Sequence, residues 1–596
     1  MPAFRFPFSA QPATGGRSLP PVPPAFFLAV GLLLVLAACL GPGLIFGLSQ
    51  YADVEHLRRV RYHDATFRYL PIVLTRTGLA MAQSAWLTLL LGSGALLVWQ
   101  WRRRGRLYQE LAALRREWRT APSLLAPWRR LPPAERRTAG LLLAGLLLAR
   151  AYFVLHYPLY GDEVVTYLSF VREGPLSAVS FYPIPNNHIG YSVLCWLASL
   201  ISPNIYWTMR LPTLLVSAAG TALVGLLLLR RVGFRVAALA VFLFGFFPYA
   251  LFQAAVGRGY FLMAVCAQLA FLAAWELLRG TRRPRLAWAL LMGSSAAGLY
   301  AMPTFLLVFG SLLAVLGGHY ALRGHGGTLR ALALAAAVTG LGTALLYAPV
   351  LVVSGPRALF ANSYVTAGAG RTADLTALSF LYRTEGQLLG VAPLGLGLLL
   401  VLSLAGLVLS RTRPGAGRLM GLLLGLLWLP YLLLLSRGVF PPARVLSYRM
   451  FFLFLLGALL LEALLRRQPL PALRRPAVAV ALPVLLWAAL ALLLVQRRAR
   501  LEASRNERVA QVYAWLQQRG ARHVVAEPPH YQLYLQFFSQ ASGNSRLRVA
   551  ADHEIKPGTP YQFYLLDKER YRKFHIPLRP VFENEDVRVY PWPIGR

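Results

Sequence analysis

The sequence predicts a polytopic α-helical membrane protein of about thirteen spans, followed by a small C-terminal α/β domain. Three observations predict it. Of 596 residues 57% are hydrophobic and only 14% charged, with a mean hydropathy of +0.52, and that much apolar surface needs lipid as its solvent. Apolar runs recur along the chain, most of them about as long as the ~20 residues a bilayer crossing takes. The arginines fall in short clusters between those runs. A formal charge of +38 on a soluble face would suggest nucleic acid, but charges spread over alternate connectors read as positive-inside topology, so nucleic acid is not an expected partner.

Two spans open the chain within residues 1–100, Pro24 to Leu48 and Arg76 to Trp99. The run Leu36-Ala-Ala-Cys39 resembles a lipoprotein cleavage box, yet the apolar segment continues to Leu48, so an uncleaved first span is expected. A basic linker, residues 101–137, places Leu107, Leu111, Leu114 and Trp118 at helical spacing and reads as a helix lying on an anionic leaflet. Residues 138–496 form the main transmembrane unit. Its spans are Thr138 to Leu155, Leu211 to Leu229, Val236 to Ala255, Tyr260 to Leu278, Leu286 to Ala301, Pro303 to Gly318 and Leu329 to Val353, then Leu389 to Leu409, Leu419 to Leu435, Met450 to Leu465 and Ala477 to Val495. The stretch from Leu286 to Gly318 is too long for one helix and breaks at Pro303. Residues 497–596 read as a soluble domain. It has a helix at Asn506 to Gln518, a strand at His523 to Ala526, a helix near Tyr531 to Ser539, and strands at Tyr561 to Leu566 and Val587 to Tyr590.

Charge sets the topology. The connectors carrying Arg102 to Arg137, Arg230 to Arg235, Arg279 to Arg285, Arg323 to Arg330, Arg411 to Arg418 and Arg466 to Arg475 are expected in the cytoplasm. The outer set is then the loop Tyr157 to Met209, the turn Val256 to Gly259, the loop Ser354 to Leu388, the turn Ser436 to Arg449 and the tail. Within the first outer loop, 157–209, Ile189 to Ile201 is apolar on one face but short, and reads as an interfacial helix. The three cysteines, Cys39, Cys195 and Cys266, lie in apolar stretches and offer neither metal spacing nor a disulfide framework.

Chemistry is sought first at Asp162 and Glu163, adjacent carboxylates in a chain with 23 acids, just after an apolar helix. One could accept a proton from an attacking hydroxyl or amine while the other orients it; helix capping is the competing role. Further along, Asn186, Asn187 and His188 suit hydrogen bonds to sugar hydroxyls or a phosphate, or a capped turn. Arg258, flanked by glycines and followed by Tyr260, together with Arg444 and Arg449, puts positive charge in outer turns, where topology disfavours it. Guanidinium groups there can grip a phosphate through paired N–H bonds or snorkel to headgroups. Arg371, Asp374, Arg383 and Glu385 add charge to the Ser354 to Leu388 loop, and could close over a substrate or only solvate the loop.

In the order Asp162-Glu163, Asn187-His188, Met209-Arg210-Leu211-Pro212, Arg258-Gly259-Tyr260 and Arg444 through Arg449, the chain resembles the GT-C superfamily of integral-membrane glycosyltransferases. The likeness is to the family 39 group, which includes protein O-mannosyltransferases and the lipid A aminoarabinose transferase, and it covers roughly Thr138 to Val495. Many relatives have His-Pro-Pro-Leu where this chain has His188-Ile-Gly-Tyr191. The resemblance implies a GT-C-like enzyme of the inner membrane moving a sugar from a polyprenyl-phosphate donor to an extracytoplasmic lipid, glycan or protein. It implies Asp162, ahead of Glu163, as the catalytic base and Asn187, His188, Arg258, Tyr260, Arg444 and Arg449 as binding residues, with membrane lipids as partners and no cofactor or metal. A transporter or flippase of lipid-linked glycans is the alternative; such proteins usually hold ionisable groups at mid-membrane, whereas these acids lie in a loop.

Overall fold

The computed structural model describes residues 22–60, 72, 74–183, 185–360, 377–413, 415–467, 475–543, 546–570 and 578–592. Among them ten helices are long and apolar enough to cross a membrane, or eleven if the bent pair Phe234–Gly245 and Pro248–Ala255 is one span. The chain is an integral, multi-pass membrane protein. The shortfall against thirteen comes from two helices that do form, Pro284–Ala301 and Arg449–Arg467. The first carries Arg285 and two serines, and the second begins and ends on arginine, so neither is a clean apolar crossing.

Proline sets several boundaries. Pro24, Pro133, Pro284 and Pro476 occupy the first helical position, where the missing N–H costs nothing. Pro248 starts the second half of the bent pair, and the two halves meet at 61°. The expected break at Pro303 is present as a short turn, Pro303–Phe305, before the helix Leu306–Leu322. The Tyr260–Arg279 helix is enclosed on nearly every side, with Tyr260, Met263, Ala267, Phe271 and Ala274 all buried, and forms the axis of the apolar core. The linker forms the helix Arg106–Arg119, and the stretch expected at the interface forms Ile189–Ser199.

One expectation is corrected at the C-terminal end. The last span and the first helix of the tail are a single helix, Pro476–Gln518, of 43 residues, about 65 Å at 1.5 Å per residue. Nothing between Val495 and Asn506 breaks it, because the four arginines, two alanines, Leu501 and Glu502 there are good helix formers. Beyond it lies a five-stranded sheet of β1 (His523–Ala526), β2 (Arg548–Ala550), β3 (Phe563–Asp567), β4 (Phe582–Glu583) and β5 (Val587–Pro591), ordered β2-β1-β3-β5-β4. β1 is parallel to β2 and β3, while β5 is antiparallel to β3 and β4. β2 and β4, short edge strands of three and two residues, lack a readable alternation and escape the sequence pattern.

The domain is not free of the bundle. Leu159, Val164 and Leu168 of the first large loop share one apolar cluster with Val509, Leu516, Tyr531, Tyr534 and Phe537. Asn506 Nδ2 and the Tyr534 hydroxyl both donate to the Leu159 carbonyl, at 2.8 and 3.1 Å. The carboxyl-terminal domain therefore supports the segment that carries the acidic pair.

Candidate active site

Asp162 and Glu163 occupy the first turn of the helix Gly161–Thr166, where carboxylates complement the helix dipole. Their environments differ sharply. Glu163 is 1% exposed and meets Arg210, also buried, in a two-pronged pair: Nε to Oε1 at 2.8 Å and Nη2 to Oε2 at 2.9 Å. Its Oε1 also accepts the Gly257 N–H at 3.0 Å and its Oε2 the Tyr160 N–H at 3.4 Å. Arg210 spends its remaining N–H groups on the carbonyls of Val154, Tyr157 and Pro158. This pair clamps the end of the helix Pro133–His156, the acid helix and the start of the helix Ile205–Val232 together. Gly257 is required for it, since a Cβ there would stand 2.7 Å from the Met209 carbonyl oxygen and 3.2 Å from Glu163 Oε1.

Arg258 is likewise turned inward. Its Nη1 donates to the carbonyls of Asp162 (3.3 Å) and Asn186 (3.0 Å) and to Thr166 Oγ1 (2.6 Å), and its Nη2 donates to the Asn186 side-chain oxygen. His188 Nδ1 accepts the Gly259 N–H at 2.9 Å, and its Nε2 stands 3.2 Å from Arg258 Nη2. Burial, reinforced by the Arg258 and Arg444 charges, holds the His188 pKa well below its usual value. With N–H donors facing both ring nitrogens, a protonated ring would have no acceptor, so the imidazole is neutral. Asn187 is used up as well: it donates to the carbonyls of Ala178 and Phe181 and accepts from Ser192 at 2.6 Å. These three residues build the loop.

Asp162 alone of the two acids is open. Its side chain is 24% exposed, while its Oδ2 is itself buried, without a hydrogen-bond partner among the described residues, and lies 3.6 Å from Arg444 Nη2. The backbone around it is fixed, because its carbonyl accepts from Arg258 and from Thr166 Oγ1. Arg444, 35% exposed, donates from Nε to the Tyr260 hydroxyl at 3.0 Å, and the Tyr260 ring meets His188 edge-on at 4.8 Å. Tyr160 stands beside them, its phenol pKa raised by burial and then by the Asp162 charge, so it stays protonated. Arg498, from the long C-terminal helix, lies over the rings of Phe252 (4.1 Å) and Tyr160 (5.9 Å), and its guanidinium makes no hydrogen bond or salt bridge among the described residues.

Arg449 does not join this group. It is fully buried with Glu385, Nη1 to Oε1 at 2.8 Å, donates to the Leu427 carbonyl and lies 4.1 Å from the Tyr431 ring centre. Glu385 is thereby removed from the loop role; Arg383 is exposed, and Arg371 and Asp374 lie outside the described residues. Among the described residues no three His, Cys, Asp or Glu side chains converge as a metal site requires.

Sequence reasoning undervalued Arg210, Tyr160 and Arg498. Arg210 carried a signal, an arginine one residue before an apolar span, but Arg498 sits in a run of arginines that looks like an ordinary membrane flank.

No protein-family model matches the chain, and no curated protein matches it either. Among solved structures it is similar to ArnT from Cupriavidus metallidurans bound to undecaprenyl phosphate, with a TM-score of 0.53 at 15% identity over 77% of this chain and 98% of that one. The apo state of the same protein gives 0.51 at 15% identity, over 76% and 97%. Arabinosyltransferase EmbB from Mycobacterium smegmatis gives 0.39 at 14% identity, over 84% of this chain and 49% of that one. The chain therefore shares the fold of that ArnT structure.

Proposed function

We propose that the chain is a glycosyltransferase that moves a sugar from a polyprenyl-phosphate-linked donor to an acceptor hydroxyl or amine, with Asp162 as general base. The observation that carries this reading is the pairing of Asp162 with Arg444. Both are partly exposed and 3.6 Å apart, while the neighbouring charges Glu163, Arg210 and Arg258 are buried and occupied by protein partners. An open carboxylate can take the acceptor's proton as its oxygen or nitrogen attacks the sugar's anomeric carbon. The bond from that carbon to the phosphate oxygen breaks, the phosphate leaves with the electron pair, and a guanidinium beside it stabilises the charge that develops. The phosphate-gripping role that the sequence suggests for Arg258 thus passes to Arg444, and Arg258 becomes a positioning residue.

The bound undecaprenyl phosphate of ArnT supports a carrier of this class, on fold likeness alone. In this reading residues 138–496 are the catalytic unit, residues 497–596 support its outer loop, and the distribution of arginine clusters puts the site on the extracytoplasmic side.

The test is a purified-protein assay with a panel of polyprenyl-phosphate sugars, following release of polyprenyl phosphate. Asp162→Asn should lower turnover by roughly 10²- to 10⁴-fold with donor affinity nearly unchanged, since the amide keeps the shape but cannot accept the proton. Arg444→Ala should weaken donor binding by on the order of 1 to 3 kcal/mol. Near-normal turnover in Asp162→Asn would remove it as the base.

A further inference from the structure

A second built site lies at the opposite end of the bundle from the acidic pair. Arg210 and Arg230 stand on one helix, Ile205–Val232, twenty residues apart, or about 30 Å, close to the thickness of a bilayer's apolar core. Around Arg230 is a cavity of about 550 Å³ lined by Arg116, Glu117, Arg230, Arg282, Arg283 and Arg285, a size ordinary for a ligand site. Five guanidinium groups and one carboxylate face it. The carboxylate is already engaged: Arg285 Nη1 lies 3.6 Å from Glu117, whose other oxygen accepts the Leu286 N–H at 2.9 Å, and Arg285 Nε pairs with Glu110 at 2.7 Å. Arg283 donates to the Thr120 carbonyl at 2.6 Å. Arg116, Arg230 and Arg282 are exposed, and their guanidinium groups make no hydrogen bond or salt bridge among the described residues. Like charges converging on one cavity repel one another unless an anion sits among them.

The same elements frame an apolar cleft of about 260 Å³, lined by residues including Trp128, Leu131, Leu143, Leu229, Phe234 and Ala238. Leu229 of the cleft and Arg230 of the basic cavity are consecutive, and Pro122 of the cavity is three residues before Leu125 of the cleft. A ligand spanning both has an anionic head and an apolar tail.

We propose that this is a binding site for an anionic phospholipid, its phosphate among Arg116, Arg230 and Arg282 and one acyl chain in the cleft. The bilayer supplies that chemistry at high local concentration, and bound there the lipid would tie the helix Arg106–Arg119 to the ends of the spans. The site shares no residue with the acidic pair, so it stands or falls independently of the proposed transfer reaction.

The experiment is native mass spectrometry of the delipidated full chain in detergent, titrated with dioleoyl phosphatidylglycerol, dioleoyl phosphatidylcholine or inorganic phosphate. The expected result is one tight phosphatidylglycerol site, at least tenfold weaker binding of phosphatidylcholine, and no displacement by millimolar phosphate. Arg116→Gln, Arg230→Gln and Arg282→Gln should each weaken binding about fivefold, and the triple change on the order of a hundredfold. Gly225→Leu tests the cleft without altering charge: a Cβ there meets nothing nearer than Val241 at 3.8 Å, so the side chain can enter without moving a helix. It should weaken phosphatidylglycerol binding while leaving the thermal midpoint near that of the parent. Undiminished binding in the triple variant or in Gly225→Leu, or equal binding of phosphatidylcholine, would overturn the proposal; efficient displacement by phosphate would make this a soluble-anion site instead.

Discussion

Glu163→Gln separates the anchoring acid from the proposed base. In the parent, both carboxylate oxygens of a 1% exposed side chain receive Arg210 N–H bonds, and Gly257 and Tyr160 add two more donors. A glutamine offers one acceptor oxygen and one NH2 group, so either Arg210 Nε or Nη2 would face another donor, and the buried guanidinium loses its counter-charge. Breaking a buried pair by neutralising one partner costs about 3–5 kcal/mol. Arg210 keeps its bonds to the Val154, Tyr157 and Pro158 carbonyls, which places the expected loss near the lower end, about 3 kcal/mol. The assay is thermal unfolding of the purified protein in detergent, run beside Asp162→Asn, where the altered side chain makes no hydrogen bond through Oδ2 and the midpoint should stay within a degree or two of the parent. Glu163→Gln should unfold several degrees earlier and lose activity in step with folded protein. A Glu163→Gln protein as stable as the parent but without turnover would refute the reasoning and make Glu163 the base.

Three further outcomes follow from the same geometry. Arg449→Leu alone leaves Glu385 buried without its partner and should destabilise by about 3–5 kcal/mol, whereas Arg449→Leu with Glu385→Leu should recover much of that loss, as read by thermal unfolding. Gly257→Ala drives a methyl group to 2.7 Å from the Met209 carbonyl and should cost about 1–3 kcal/mol while lowering turnover, because the turn must shift away from Glu163. In the carboxyl-terminal domain, burial above all pushes the His530 pKa from 6.5 down to about 4. The folded state then refuses a proton that the unfolded state accepts, so stability is unaffected above pH 6.5 and falls as the pH drops towards 4, by at most about 3 kcal/mol. His530→Phe should flatten that part of the profile of unfolding midpoint against pH.

The sequence by itself determined that the chain spans a membrane many times, that a break falls at Pro303, that Ile189–Ser199 is a short apolar helix, and that β1, β3 and β5 are strands of a small terminal domain. Each is a matter of apolar burial or backbone preference, which act over a window of neighbouring residues and can be read along the chain. It also singled out the segment with Asp162 and Glu163 as a candidate site. Which of the two is open, it did not show. That depends on Arg210, 47 positions from Glu163, and on Arg444, which reaches the site from another turn altogether. Arg258 looked free between its glycines, yet Thr166 and Asn186 enclose it; Arg449 looked like a companion of Arg444, yet Glu385 takes it. A charge acts according to its distance from other charges and from water, and those distances are set only when helices far apart in sequence pack against one another.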